Sequence, residues 1–161
     1  MMTRNVRWWL SGLAASVILC VGVAAQGTDP MFGVWKLNVA KSTFSPGPAP
    51  KEMTAAIEAA GAGRKVTVKG INADGTPINW GYTGNFDREE YKVTGTNPDA
   101  DVVILRRVSA RATRTSYKLA GKETLVNGLS VSEDGKTLAV ASTGVNAKGQ
   151  TVKNNMVFEK Q

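Results

Sequence analysis

Between Ile78 and Phe86 the chain alternates. Ile78, Trp80, Tyr82, Gly84 and Phe86 fall on one side of an extended backbone, and Asn79, Gly81, Thr83 and Asn85 fall on the other. One face is apolar and aromatic and the other polar, the pattern of a half-buried antiparallel strand. Val66 with Val68, Leu138 with Val140, and Val152, Met156 and Phe158 repeat the pattern more weakly. Trp35, Leu37 and Val39 also share a side, opposite Val34, Lys36 and Asn38. Val102-Val103-Ile104-Leu105 is apolar on both faces, so its orientation stays open.

Turn-forming residues punctuate the chain after Pro50, at Gly61-Ala62-Gly63, Asn72 to Gly75, Asp87-Arg88, Asn97 to Asp99, Ser109-Ala110, Gly121-Lys122, Glu133 to Gly135 and Asn146 to Gly149. They recur about every 10 to 14 residues, the spacing of short antiparallel strands. Ten strands are predicted, over about 33–40, 52–59, 64–71, 76–86, 89–94, 101–108, 112–119, 122–131, 136–144 and 150–159. Only Met53 to Ala60 offers a weak helical period. Phe44 to Pro50 holds three prolines in seven residues, which fits an extended connecting loop rather than a helix or central strand. The segment Gly70 to Ile78 is echoed by Gly144 to Val152. In both, Asn opens a turn that a later Gly closes in the left-handed conformation. A meander of this kind has two exposed edges, and closing it into a barrel removes both. The expected fold is therefore all-β, an antiparallel up-and-down meander of about 8–10 strands closed into a barrel.

The first residues stand apart. Arg4 and Arg7 precede an apolar run from Leu10 to Val23, and Val23-Ala24-Ala25 supplies the small residues of a cleavage site. Residues 1–25 read as a signal peptide, 26–31 as a linker and 32–161 as the barrel domain. The protein is then exported, periplasmic or secreted, and without stable membrane insertion once the signal is gone. The apolar run is shorter than the ~20 residues of a membrane span. Leu19 before Cys20 does not suit a lipoprotein signal. Cleavage removes Cys20, the only cysteine, so no disulfide supports the domain. The remaining 136 residues bury roughly two-thirds of their unfolded surface, enough for a core. They carry 18 basic and 13 acidic residues, a net charge of +5. That modest excess suits solubility and weak contact with anionic envelope surfaces.

The order Gly33-x-Trp35-x-Leu37 in a first strand resembles the opening of the calycins, the lipocalins and fatty-acid-binding proteins. Met156-Val157-Phe158-Glu159-Lys160 resembles the closing strand of fatty-acid-binding proteins. The whole has the look of small exported bacterial domains. The resemblance implies a lipocalin-like barrel with a small apolar or amphipathic ligand inside and Trp35 plugging its base. Two family anchors do not carry over. Met156 and Phe158 stand where fatty-acid-binding proteins hold a carboxylate with an Arg-x-Tyr pair. The last strand offers only Lys153 and Lys160 in place of the arginine that packs over the lipocalin tryptophan. There is also no room between the first two strands for a helical lid.

The absent residues narrow the chemistry. Without His or a mature Cys there is no Ser-His-Asp triad, no thiolate nucleophile, and no imidazole or thiolate site for zinc or copper. Asp87, Glu89 and Glu90 cluster at a hairpin, where charge keeps an edge soluble. The domain is read as a non-enzyme without cofactor or metal. Nucleic acid is not an expected partner, since the basic residues are not interleaved with exposed aromatics. The candidate ligand residues are Trp80, Tyr82, Arg106, Thr115 and Tyr117. With a two-residue turn at Ser109-Ala110, Arg106 shares an inner face with Val102, Ile104, Thr113, Thr115 and Tyr117. A guanidinium there would need an anionic ligand or a carboxylate. A three-residue turn places Arg106 beside Arg114 instead. The alternative function is an envelope-associated interaction protein with a side-chain-filled barrel, binding through its loops and basic hairpin. Sequencing the N-terminus of the exported protein tests the leader: it should begin at Gln26 or within a residue or two, and retention of Met1 would contradict export.

Overall fold

The computed structural model describes residues 29–161; the signal peptide read at 1–25 lies outside them. Ten strands follow in order: β1 (Gly33–Leu37), β2 (Glu52–Ala60), β3 (Gly63–Ile71), β4 (Pro77–Asn85), β5 (Glu90–Thr96), β6 (Val102–Ser109), β7 (Ala112–Leu119), β8 (Lys122–Val131), β9 (Thr137–Val145) and β10 (Thr151–Lys160). Each pairs antiparallel with its sequence neighbour. β1 also pairs with β10, placing Leu37 opposite Phe158 and closing the sheet into a barrel. Nine of the ten strands lie within two residues of the expected bounds. The first is shorter, because the Asn38 side chain accepts a hydrogen bond from the Lys41 amide and folds Val39–Lys41 into a 3-10 turn. Val39 is thereby left at the surface.

Alternation decides what fills the barrel. On β4, Tyr82 is buried, Trp80 is half-buried and their outward neighbours Asn79 and Thr83 are exposed. Gly84 is the inward residue without a side chain. A Cβ there would come 2.7 Å from the Tyr91 ring and 3.1 Å from Leu105, so glycine makes the close approach of β5 and β6 feasible. β5 is joined to β6 by three paired positions from Glu90 to Lys92, as few as join β1 to β10, compared with nine between β3 and β4.

The two ends of the barrel differ. The turns after β2, β4, β6 and β8 gather at one end with the segment Asp29–Phe32. The turns after β3, β5, β7 and β9 gather at the other, beside the proline loop. At the first end Trp35 is fully buried and its indole Nε1 donates to the Met31 carbonyl at 2.8 Å. Met31 is itself 1% exposed, so its side chain closes the end as a plug. Lys160 Nζ lies 5.0 Å from the Trp35 ring centroid. A cation–π contact of this kind contributes ~0.5–2 kcal/mol.

Trp35→Ala should empty a large volume that the closed end cannot collapse to fill. A loss of ~3–5 kcal/mol is expected in urea unfolding. A change below ~1 kcal/mol would show that Trp35 is not the plug.

Candidate functional site

The most unusual side chain inside the barrel is Arg64, the second residue of β3 and 1% exposed. It sits on the same face as Val66 and Val68 and meets no carboxylate. Its Nη2 donates to the Tyr82 hydroxyl and to Thr115 Oγ1, both at 2.9 Å. Nη1 donates to Thr113 Oγ1 at 3.1 Å and approaches the Met31 sulfur at 3.7 Å. Nε is buried without a partner. The guanidinium carbon lies 5.8 Å from the Tyr82 ring centroid and 5.6 Å from that of Phe86. On Phe86 sits a second guanidinium, Arg107, at 4.2 Å, which forms an ion pair with Asp29.

A guanidinium cannot shed its proton, so this charge is paid for by hydroxyl dipoles and aromatic faces. Charge-assisted bonds contribute ~1.5–3 kcal/mol each, and three of them are comparable with the several kcal/mol that desolvating one ion costs. The cluster ties β3, β4 and β7 to Met31 and fills the closed third of the barrel.

Above it the interior opens only slightly. A space of about 80 Å³ is bounded by Val66, Val68, Tyr82, Tyr117, Leu138 and Val140, among others. It continues past Trp80, Tyr117 and Asn127 into a wider mouth of about 640 Å³. Phe44, Pro48 and Pro50 of the proline loop form one wall of this mouth, and Ile78, Leu125 and Met156 line others. The loop is held in place by β10, where Thr43 and Asn155 exchange backbone hydrogen bonds and Asn154 Oδ1 accepts from the Ser45 amide. The opposite rim is fixed by Asp99, whose carboxylate accepts from the Ala147 amide at 2.8 Å.

The expected ligand residues divide three ways. Trp80 and Tyr117 stand at the throat, their rings edge to face with centroids 6.1 Å apart. Tyr82 borders the small inner space but commits its hydroxyl oxygen to Arg64. Thr115 is fully buried and bonded to Arg64, on the closed side of that space. Of the two placements that the sequence leaves open for Arg106, the structure has the one beside Arg114: Arg106 is exposed on the outside, its Cα paired with that of Arg114, and it does not join the inner ligand residues. The cause is a register shift between Arg107 and Ser109, which adds a residue on β6 at Val108. One extra residue turns the strand over, so Val103 and Leu105 face inward with Thr113, Thr115 and Tyr117, while Val102 and Ile104 do not.

Arg64, Met31 and Asn127 were not anticipated as functional residues. Arg64 carried a readable signal, since it extends the Val66–Val68 alternation by one step. Asn127 had none, because β8 lacks a clear alternation. Asn127 Nδ2 donates to the Tyr117 hydroxyl at 3.4 Å, and its Oδ1 is buried without a partner. Burial pushes the Tyr117 phenol well above its ordinary value of 10.0; nearby Tyr82 adds to the rise and Arg64 opposes it. Tyr117 is therefore a neutral donor throughout the ordinary pH range.

Among solved structures the chain is similar to zebrafish ileal bile acid-binding protein complexed with cholic acid. Identity is 12% and the TM-score 0.46, over 82% of this chain and 99% of that one. No family model matches the chain, and no curated protein matches it in sequence. The geometry of the mouth, rather than this likeness, carries the function proposed below. Among the described residues no group of His, Cys, Asp and Glu is arranged to hold a metal ion.

Arg64→Lys should destabilise the barrel by ~2 kcal/mol or more in chemical unfolding, because a single ammonium cannot span the hydroxyls of β4 and β7 as a planar fork does. Stability equal to that of the wild type would show that the fork is dispensable.

Proposed function

We propose that this protein binds a small apolar or amphipathic molecule at the open mouth of its barrel, without transforming it. The supporting observation is the mouth itself. Its volume of about 640 Å³ falls within the ~300–1,000 Å³ of small-molecule sites, whereas the inner space of about 80 Å³ does not. The bulk of the ligand therefore sits in the mouth, between Trp80, Ile78 and the proline loop, with at most one small end reaching inward. The lining offers Asn, Thr, Ser and Tyr groups and one carboxylate, Asp99, but no nucleophile with an adjacent base. With export by the leader read at residues 1–25, binding takes place in the periplasm or outside the cell.

A second reading is favoured by the outer surface. Arg106 lies directly opposite Arg114, and Arg88 joins them around a recess of about 410 Å³. None of the three forms an ion pair among the described residues. Like charges placed opposite each other are destabilising, so such a face suits contact with an anionic envelope surface through the basic hairpin.

Titration of the exported protein with a panel of lipids, pigments and aromatic compounds tests the mouth. Binding should quench tryptophan emission in the wild type and in Trp35→Phe, and the quench should be lost in Trp80→Phe. No response from the folded wild type across the panel would favour the outer basic face instead.

A further inference from the structure

The polar groups of the mouth are unequally occupied. Asn72 Nδ2 is bonded to Thr76, Asn97 Oδ1 accepts from the Asp99 amide, and Asn154 Oδ1 accepts from the Ser45 amide. Asn72 and Asn97 thus stabilise their own turns, and Asn154 holds the proline loop. Asn127 differs, because its Oδ1 is buried at the throat and meets no donor. An acceptor removed from water without a partner is costly, and in a native structure it calls for an explanation. Beside it the Tyr117 hydroxyl accepts from Asn127 Nδ2 and still has its own hydrogen to give.

The charges of the mouth point the same way. Its lining contains the Asp99 carboxylate and no lysine or arginine. Arg64, the buried cation, borders neither the inner space nor the mouth, and two of its three nitrogens are committed to Thr113, Thr115 and Tyr82. Lys148 borders only the neighbouring recess outside the rim. A carboxylate entering the throat would lose water, find no cation and face the negative charge of Asp99.

We infer that the ligand is uncharged and enters with a hydroxyl or primary amide, which donates to Asn127 Oδ1 and accepts from the Tyr117 hydroxyl. This inference rests on the mouth-binding reading and narrows its ligand class. An alcohol or amide satisfies both free groups at once, while its apolar body lies against Trp80 and Ile78.

The test is calorimetric titration of the full chain with three matched probes, 1-decanol, decanamide and decanoate, at neutral pH. Decanol and decanamide should bind at least about tenfold more tightly than decanoate. Asn127→Leu should abolish that preference. Asn127→Asp keeps an acceptor at the site, so it should retain decanol and decrease decanoate further; it also serves should the leucine variant fail to fold. Decanoate binding as tightly as decanamide, or more tightly, overturns the inference and leaves the mouth as a binding site. If none of the three binds the folded wild type, the inference and the mouth-binding reading both fail.

Discussion

A guanidinium inside a β-barrel has to be met by acceptors from several strands at once, and Arg64 imposes that condition here. Its Nη atoms reach Tyr82 on β4 and Thr113 and Thr115 on β7, and Met31 lies against it from the entering chain. β4 adjoins Arg64's own strand, but β7 does not, so the bonds to Thr113 and Thr115 tie strands across the barrel as ladder hydrogen bonds cannot. No carboxylate shares the burden. The hydroxyls must therefore stay in place, and with them the register of β7 that brings Thr113 and Thr115 inward. Phe86 extends the arrangement, with the guanidinium groups of Arg64 and the ion-paired Arg107 both close to its ring. One end of the barrel is filled as a consequence.

The opposite end is constructed differently. There the chain turns on loops that Asn opens and Gly closes and on a proline loop, the lining combines apolar groups with amides, hydroxyls and the Asp99 carboxylate, and cations are absent from it. A barrel filled with charge and hydroxyls at its floor has its apolar recess only at the mouth. The proposed function follows from this polarity: access is from one side, and depth is limited by Tyr82 and the small space above it.

The legible part of the fold was the part carried by local chemistry. The Ile78–Phe86 alternation and the matched Asn-Gly turns are visible in the chain. Both turns form as expected, with the Gly75 and Gly149 amides bonded back to Asn72 and Asn146. What escaped depended on long-range register. Arg106 faces outward because a single extra residue near Val108 reverses the faces of β6, whereas Arg64 faces inward by the plain alternation of β3. Lys160 reaches Trp35 only because β1 and β10 close with Trp35 opposite Lys160. Asn127 belongs to the site because β7 and β8 bring its amide to Tyr117. Such pairings follow from the closed sheet rather than from any segment within it.

The central claim is that the floor is closed and the mouth receives the ligand. Heteronuclear NMR of the nitrogen-labelled protein with saturating decanamide tests it most directly, because each end has its own reporters. The account predicts shifts in the Trp80 indole and Asn127 side-chain amide signals, with the Arg64 Nε–H and Trp35 indole signals unmoved. A shift at Arg64 Nε–H with Trp80 and Asn127 unmoved would contradict it, and would place the ligand in the floor.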